Sequence, residues 1–200
     1  MAHFKLLVFA TITLMASFST SAEVLPAPQT TGGKPLMQVM SERKSSREYQ
    51  ENQSVSKQDL SNMLWAAWGV THDGKRTVAT AMNRQELSLY VITPTEVSRY
   101  NPEANTLTVV NTGDFRNYAT LQDFAAIAPI NIVMVVDTQK QSKPEFQGYT
   151  AGAASQNIYL YCAQAGLKTV VRAGYDKDNL PGILKLRDNE RIIWVQTVGK

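Results

Sequence analysis

Apolar positions recur at three- and four-residue spacing in two early stretches. In LMQVMSER (36–43), Leu36, Val39 and Met40 fall on one helical face. In SKQDLSNMLWAAWGV, Leu60, Leu64 and Trp68 repeat every four residues. Ser56 stands where an N-cap would, Asp59 follows three positions later as in a capping box, and Gly69 can close the helix. The period then changes. LSLYVIT (87–93) mixes β-branched and aromatic residues and stops at Pro94, a strand pattern. RYNPEANTLTVV (99–110) reads as a hairpin around Pro-Glu-Ala-Asn, and LQDFAAIAP as a helix stopped by Pro129. INIVMVVDT (130–138) is apolar through most of its length, as a buried strand is. TAGAASQNIYLYCAQAGL (150–167) is the clearest helix, rich in small residues on one side and closed by Gly166. DKDNLPGILKL is expected as a short helix with Pro181 in its first turn, and RIIWVQTVG (191–199) as a last strand. Helices and strands interleave, and the central strands are apolar enough to be covered on two faces. That indicates an α+β or α/β sheet between helices.

The chain has 200 residues, 44% hydrophobic and 18% charged, which suits one globular domain. Its net charge of +3 is too mild for the basic stripe that nucleic acid requires. The first 22 residues stand apart. Lys5 precedes an apolar run from Leu6 to Phe18, and small residues ending in Thr20-Ser21-Ala22 follow, the layout of a secretory signal peptide. The run is shorter than the ~20 residues a membrane-spanning helix needs. The expectation is export, with a periplasmic protein starting near Glu23, a Pro/Gly/Thr-rich linker over 23–35 and one domain over 36–200. After cleavage no membrane span remains. Cys162 is the lone cysteine, so no disulfide framework and no cysteine-based metal site is expected. With neither His3 nor His72 an obvious base for it, Cys162 reads as a small core residue.

Candidate chemistry starts at RKSSREY (43–49), where three cations, two hydroxyls and a tyrosine occupy seven positions. In an extended chain Arg43, Ser45 and Arg47 point to one side, and in a helix Arg43 and Arg47 still share a face. Two guanidiniums flanking a hydroxyl, with Lys44 alongside, suit a phosphate monoester. A helix end rich in cations is the competing reading, favoured by the macrodipole. In RTVATAMNRQELSLYVI (76–92), Asn83 and Gln85 follow a run of small residues and precede a strand. A buried amide there needs partners for both donor and acceptor, as a heterocycle with alternating carbonyl and N–H groups would supply. An Asx turn is the alternative. Arg84 and Glu86, on either side of Gln85, read as solvent-facing, and Tyr159 and Tyr161 as interface or core.

Taken in order, these segments resemble the FMN-dependent nitroreductases, in particular the branch of SagB-type azoline dehydrogenases. The likeness runs from R-x-S-x-R with a following aromatic (Arg43, Ser45, Arg47, Tyr49) through LWAAWGV, ATAMNRQELSLYV, AGAASQNIYLYCAQAGL and VVRAGYD to the closing VQTVG, most of residues 36–199. The resemblance implies an α+β fold, a mainly antiparallel central sheet wrapped by helices, in an intertwined homodimer with FMN at the interface. It implies that Arg43, Ser45 and Arg47 hold the phosphate with Lys44 adjacent. Asn83 would bond the flavin or ribityl edge, supported by Gln85, and the backbone amides of Ala173 and Gly174 would approach flavin N5. Glycine at 174 would keep side-chain bulk away from that atom. Two departures stand out. Many relatives carry Glu where Ala173 stands. Many also continue past the last strand with basic residues that reach the phosphate, for which Lys200 would be the remnant.

The cofactor of such an enzyme carries the hydride chemistry, so no catalytic side chain is named. The expected activity is oxidoreduction of a small organic substrate, a nitro compound, a quinone or similar. NAD(P)H as electron donor conflicts with export. That leaves three readings: an exported reductase, a SagB-like dehydrogenase running in the oxidising direction, and a non-enzymatic flavin-binding descendant.

Overall fold

The computed structural model describes residues 22–51 and 53–200. The leader expected at 1–22 lies, except for Ala22, outside the described residues. Seven antiparallel strands form one sheet, in the order β1-β4-β3-β2-β5-β7-β6. They are β1 (Ala22–Val24), β2 (Leu87–Ile92), β3 (Glu96–Asn101), β4 (Thr106–Thr112), β5 (Ile130–Asp137), β6 (Lys168–Arg172) and β7 (Glu190–Gly199). The helices are α1 (Leu36–Glu42), α2 (Lys57–Trp68), α3 (Asp123–Ala126), α4 (Pro144–Ala165) and α5 (Leu180–Ile183). Among the described residues no helix is long and apolar enough to cross a membrane. This is the α+β architecture expected, with helices on both faces of a mainly antiparallel sheet.

The two faces have separate cores. On one, α2 and α4 cover Leu89, Val91, Ile132 and Met134 with Met63, Leu64, Ala154 and Ile158. On the other, the 115–119 turn and α5 cover Tyr90, Ile92, Val133, Val135 and Val195 with Ala119, Leu180 and Leu184. Successive residues of β5 serve opposite cores because strand side chains alternate, so its run from Ile130 to Val136 is buried throughout.

Local signals explain most of the elements. Ser56 Oγ accepts from the Asp59 amide at 3.0 Å, the N-cap of α2. Gly69 ends that helix in an extended conformation, donating to the Trp65 carbonyl at 2.7 Å. Glycine is required there because a Cβ would sit 2.2 Å from the Trp65 ring. Gly166 closes α4 at φ 70°, in the left-handed conformation.

The differences from expectation are physical. Helix α4 starts at Pro144, six residues before the pattern indicated, because proline fits the first turn and Gly148 masks the period. The 176–186 segment makes only one helical turn, since the Asp176 carboxylate accepts from the Asp178 and Asn179 amides and holds its start as a turn. Helix α3 is likewise a single turn. Strand β6 is short and lies at the sheet edge. The 23–35 stretch expected as a linker is docked on the body. Val24 pairs with Thr106, Leu25 is buried and its amide donates to Asn105, and Gln29 donates to Asn62 at 2.8 Å.

Candidate functional site

The chain leaves helical geometry at Arg43, with φ −58° and ψ 125°, and runs extended past the sheet edge. Ser46 donates to the Thr169 carbonyl of β6 at 2.9 Å, and Gln50 to that of Lys200 at the end of β7. Tyr49 anchors the segment: it is buried, donates to the Ser46 carbonyl at 2.9 Å and stacks on Phe124. Burial pushes the Tyr49 phenol well above its usual range, so it stays a neutral donor.

Alternation then sorts the cationic residues. Arg43 and Ser45 both turn to Tyr159 of α4: the guanidinium carbon lies 5.2 Å from the ring centroid, and the two hydroxyls are 2.8 Å apart. Lys44 and Ser46, with Glu42, Lys168 and Tyr159 itself, line a cavity of about 330 Å³. Arg47 is exposed. Among the described residues, Arg43, Lys44 and Arg47 have no carboxylate partner, whereas Lys34, Lys57, Arg76, Arg99, Arg116 and Arg187 do. These cations keep donors free beside the Ser45–Tyr159 hydroxyl pair, a combination that an anion can use.

On the far side of Tyr159 lies a cavity of about 360 Å³ bounded by Gly148, Gly152 and Ser155 of α4, by Val171, Arg172 and Ala173, and by Trp194. A Cβ added at Gly148 or Gly152 would meet nothing within 4 Å, so the small residues fill no packing role within this chain. They leave a helix face without side chains, onto which a flat ring or another helix can lie. Ala173 is exposed at the rim. A Cβ at Gly174 would touch only the Leu121 side chain, at 3.6 Å, so the protein itself does not demand glycine there.

Arg172, which the sequence reading passed over, fixes that loop. Its side chain crosses to the opposite face of the sheet and spends all five N–H groups. Nε and Nη2 donate to Thr197 Oγ1 at 3.2 and 2.6 Å, and Nη2 to Asn131 Oδ1 at 2.9 Å. Nη1 donates to the carbonyls of Ala119 at 3.0 Å and Gly174 at 3.1 Å. Burial lowers its pKa to about 10, still far above neutrality, so the group is a buried cation with no carboxylate beside it. The only sequence signal was an arginine at the end of an apolar strand.

Asn83 and Gln85 occupy a strained corner before β2. Met82, Asn83 and Gln85 all have positive φ, between 47° and 54°, unusual for residues with side chains. Gln85 is satisfied internally: its Oε1 accepts from Arg76 Nε at 2.9 Å, and its Nε2 donates to the Gly74 carbonyl and to Asn83 Oδ1 at 3.0 Å. It therefore braces Asn83, whose amide is exposed rather than buried and whose Nδ2 has no partner among the described residues. Glu86 does not face solvent as expected. It is 1% exposed, its Oε1 accepting from Thr150 Oγ1 of α4 at 2.7 Å and its Oε2 unpartnered. Neither Asn83 nor Gln85 contacts the Arg43–Ser45 segment. Both regions are instead tied to α4, through Thr150 and Tyr159, about 13 Å apart along the helix at 1.5 Å per residue.

Lys200 ends the chain exposed, held by its carbonyl and not by its side chain. Cys162 is buried against Met63, and burial pushes its thiol up to about 12.

A family model described as the Nitroreductase family matches residues 40–200. A candidate nitroreductase of Methanocaldococcus jannaschii is 28% identical over 170 residues, covering 76% of this chain and 85% of its own. The crystal structure of a candidate nitroreductase from Ralstonia eutropha superimposes with a TM-score of 0.83 at 35% identity, covering 90% of this chain and 89% of that one. One from Desulfovibrio desulfuricans, solved in complex with FMN, shares the fold at 19% identity and a TM-score of 0.62, over 84% of this chain and 87% of its own. With a match over most of its length, this chain belongs to the nitroreductase family of oxidoreductases.

Proposed function

We propose that the protein is an exported, homodimeric FMN-dependent oxidoreductase acting on a small organic substrate, a nitro compound, a quinone or similar. The observation that carries the reading is the bare α4 face at Gly148 and Gly152, with the unpaired Arg43 and the Ser45 hydroxyl gathered at Tyr159 beside it. The residues present fit FMN on that ground: a floor that a Cβ would obstruct for the ring, and free donors of positive charge for the phosphate. Arg43, Ser45 and Arg47 would hold the phosphate, with Lys44 adjacent in the chain and Lys200, whose carbonyl accepts from Gln50, as a further source of charge. Asn83, braced by Gln85, would offer its free Nδ2 to a carbonyl edge. The amides of Ala173 and Gly174, aimed by Arg172, would face the reactive edge of the ring. FMN, when bound, supplies hydride transfer through N5. The chain's own work is to bind, orient and leave one face open, which no side chain at Ala173 or Gly174 obstructs.

A second copy of the chain suits the exposed apolar surface. Leu36, Met37 and Met40 on α1 are each at least half exposed, as are Tyr149 on α4 and Leu121 beside Gly174. Pairing through α4 and α1 would cover them and close the cavity. The leader-like first 22 residues support export, which would place the enzyme away from NAD(P)H. That separation favours a second reading for direction: a SagB-like dehydrogenase that oxidises its substrate and hands the electrons on.

The visible spectrum of the purified mature protein, with mass measurement of whatever denaturation releases, tests the cofactor. A colourless protein that stays so in excess FMN would end the oxidoreductase reading. Anaerobic bleaching by NADPH would favour the reductase direction. Bound flavin that NADPH leaves oxidised would favour the dehydrogenase. Light scattering on the same sample distinguishes dimer from monomer.

A further inference from the structure

Tyr159 stands where three elements meet, and its hydrogen bonds have a direction. The Val171 amide of β6 donates to the phenol oxygen at 3.0 Å. A backbone N–H can only donate, so this bond makes the oxygen an acceptor and leaves the phenol's own proton to be placed. The other polar atom within reach is Ser45 Oγ, at 2.8 Å. If the serine donated to the phenol, a proton on a side chain only 7% exposed would be left without a protein acceptor. The satisfied arrangement has Tyr159 donating to Ser45, whose hydroxyl proton is then free to point outward. The same ring carries the Arg43 guanidinium on its face, which holds that cation beside the serine without using any of its five donors.

We infer that Tyr159 is a positioning residue that polarises the 43–47 segment for a phosphate monoester. It directs the Ser45 proton outward and pins Arg43 with its N–H fork unspent. The guest that fits best is rich in acceptors and negatively charged, the dianionic form of a phosphate. The outward Ser45 proton and the unspent Arg43 fork together present several donors and a positive charge, of which a neutral hydroxyl could use only one donor. The assignment rests on the flavin-binding reading, but it concerns the phosphate alone: Tyr159 discriminates FMN from riboflavin and adds nothing to ring binding.

The test titrates flavin-free protein with FMN and with riboflavin. Wild type is expected to prefer FMN by two orders of magnitude or more. Tyr159→Phe should weaken FMN about tenfold and leave riboflavin unchanged. Ser45→Ala should do the same, and the double variant should be no weaker than Ser45→Ala alone, since both remove one device. Parallel losses for both flavins, or losses that add, would reduce Tyr159 to a packing residue and overturn the assignment. If Tyr159→Phe does not fold, Ser45→Ala and Ser45→Thr decide: the alanine must cut the FMN preference about tenfold and the threonine keep it. Wild type that binds neither flavin defeats the functional reading and this inference with it. Wild type that binds both equally defeats only the phosphate seat.

Discussion

Two positively charged regions of the molecule are alike in lacking carboxylates and opposite in everything else. The 43–47 segment carries Arg43, Lys44 and Arg47 at the surface with their donors unspent, while Arg172 is buried with all five N–H groups bonded. Neither region has an ion-pair partner among the described residues, but the form differs. The surface cations can still bond a ligand. Arg172 cannot, and it acts by fixing what surrounds it: the Gly174 carbonyl, the Ala119 turn and the Asn131–Thr197 pair. One region should therefore govern affinity and the other stability.

Arg172 offers the sharpest break. Arg172→Met removes one cation and takes the guanidinium donors from four acceptor groups. Asn131 Oδ1 keeps its bond from Thr197 Oγ1 at 2.7 Å, and the Ala119 and Gly174 carbonyls and Thr197 Oγ1 lose theirs. A loss of about 3 kcal/mol or more is expected from the unpaired acceptors alone. Urea denaturation of the flavin-free protein would show it as a lower midpoint with an unchanged slope. Arg172→Lys should recover only part, because an ammonium has three donors and no planar fork. A methionine variant as stable as wild type would mean that the network is not holding the loop, and the two regions would no longer differ in the way described.

Arg43→Ala and Arg47→Ala probe the other side. Each should weaken FMN binding about tenfold, some 1.4 kcal/mol, with the effect shrinking as salt is raised. Unfolding of the flavin-free protein should stay within about 0.5 kcal/mol, since neither side chain has a protein partner to lose except the Tyr159 ring. An equal loss in stability and affinity would merge the two regions into one. Unchanged affinity would remove these arginines from the phosphate.

The extent to which this was legible in the sequence follows the same division. Capping at Ser56, the Gly69 stop, the apolar run of β5 and the αL closure at Gly166 are local and period-driven, and each appears where the pattern put it. The R-x-S-x-R segment can be named a candidate anion seat from its residue types alone, but the gathering of Arg43 and Ser45 at Tyr159 cannot be read from them. Arg172, the Tyr159 bonds and the burial of Glu86 were not legible. Each depends on which elements the sheet order brings together: β6 beside β7 for Arg172 and Thr197, α4 against β6 for Tyr159 and Val171, and Glu86 under Thr150. A single arginine at the end of a strand has no local signature of the four acceptors awaiting it.

The smallest effect refines what burial does to a group without charge. Cys162 lies in the core between α4 and α2, and burial raises its thiol from 9.0 to about 12. Unlike Arg172 it meets burial by staying neutral, so it contributes stability only while its proton remains. The unfolded thiol ionises through pH 9 and the folded one does not until about 12. The unfolded state therefore binds fewer protons in that window, and stability falls as pH rises through it. Between pH 9 and 10 one such thiol accounts for about 1 kcal/mol. Tyr100 and Tyr161, each raised from 10.0 to about 12 chiefly by burial, extend the loss at higher pH. Cys162→Ala, compared with wild type by denaturation under reducing conditions, should be the less stable protein at pH 7 and lose about 1 kcal/mol less from pH 9 to 10. Parallel curves for the two proteins would mean that the thiol ionises as readily in the fold as out of it. The α2–α4 core would then be wetter than its packing implies, and the division between a neutral interior there and a charged one behind β6 would fail.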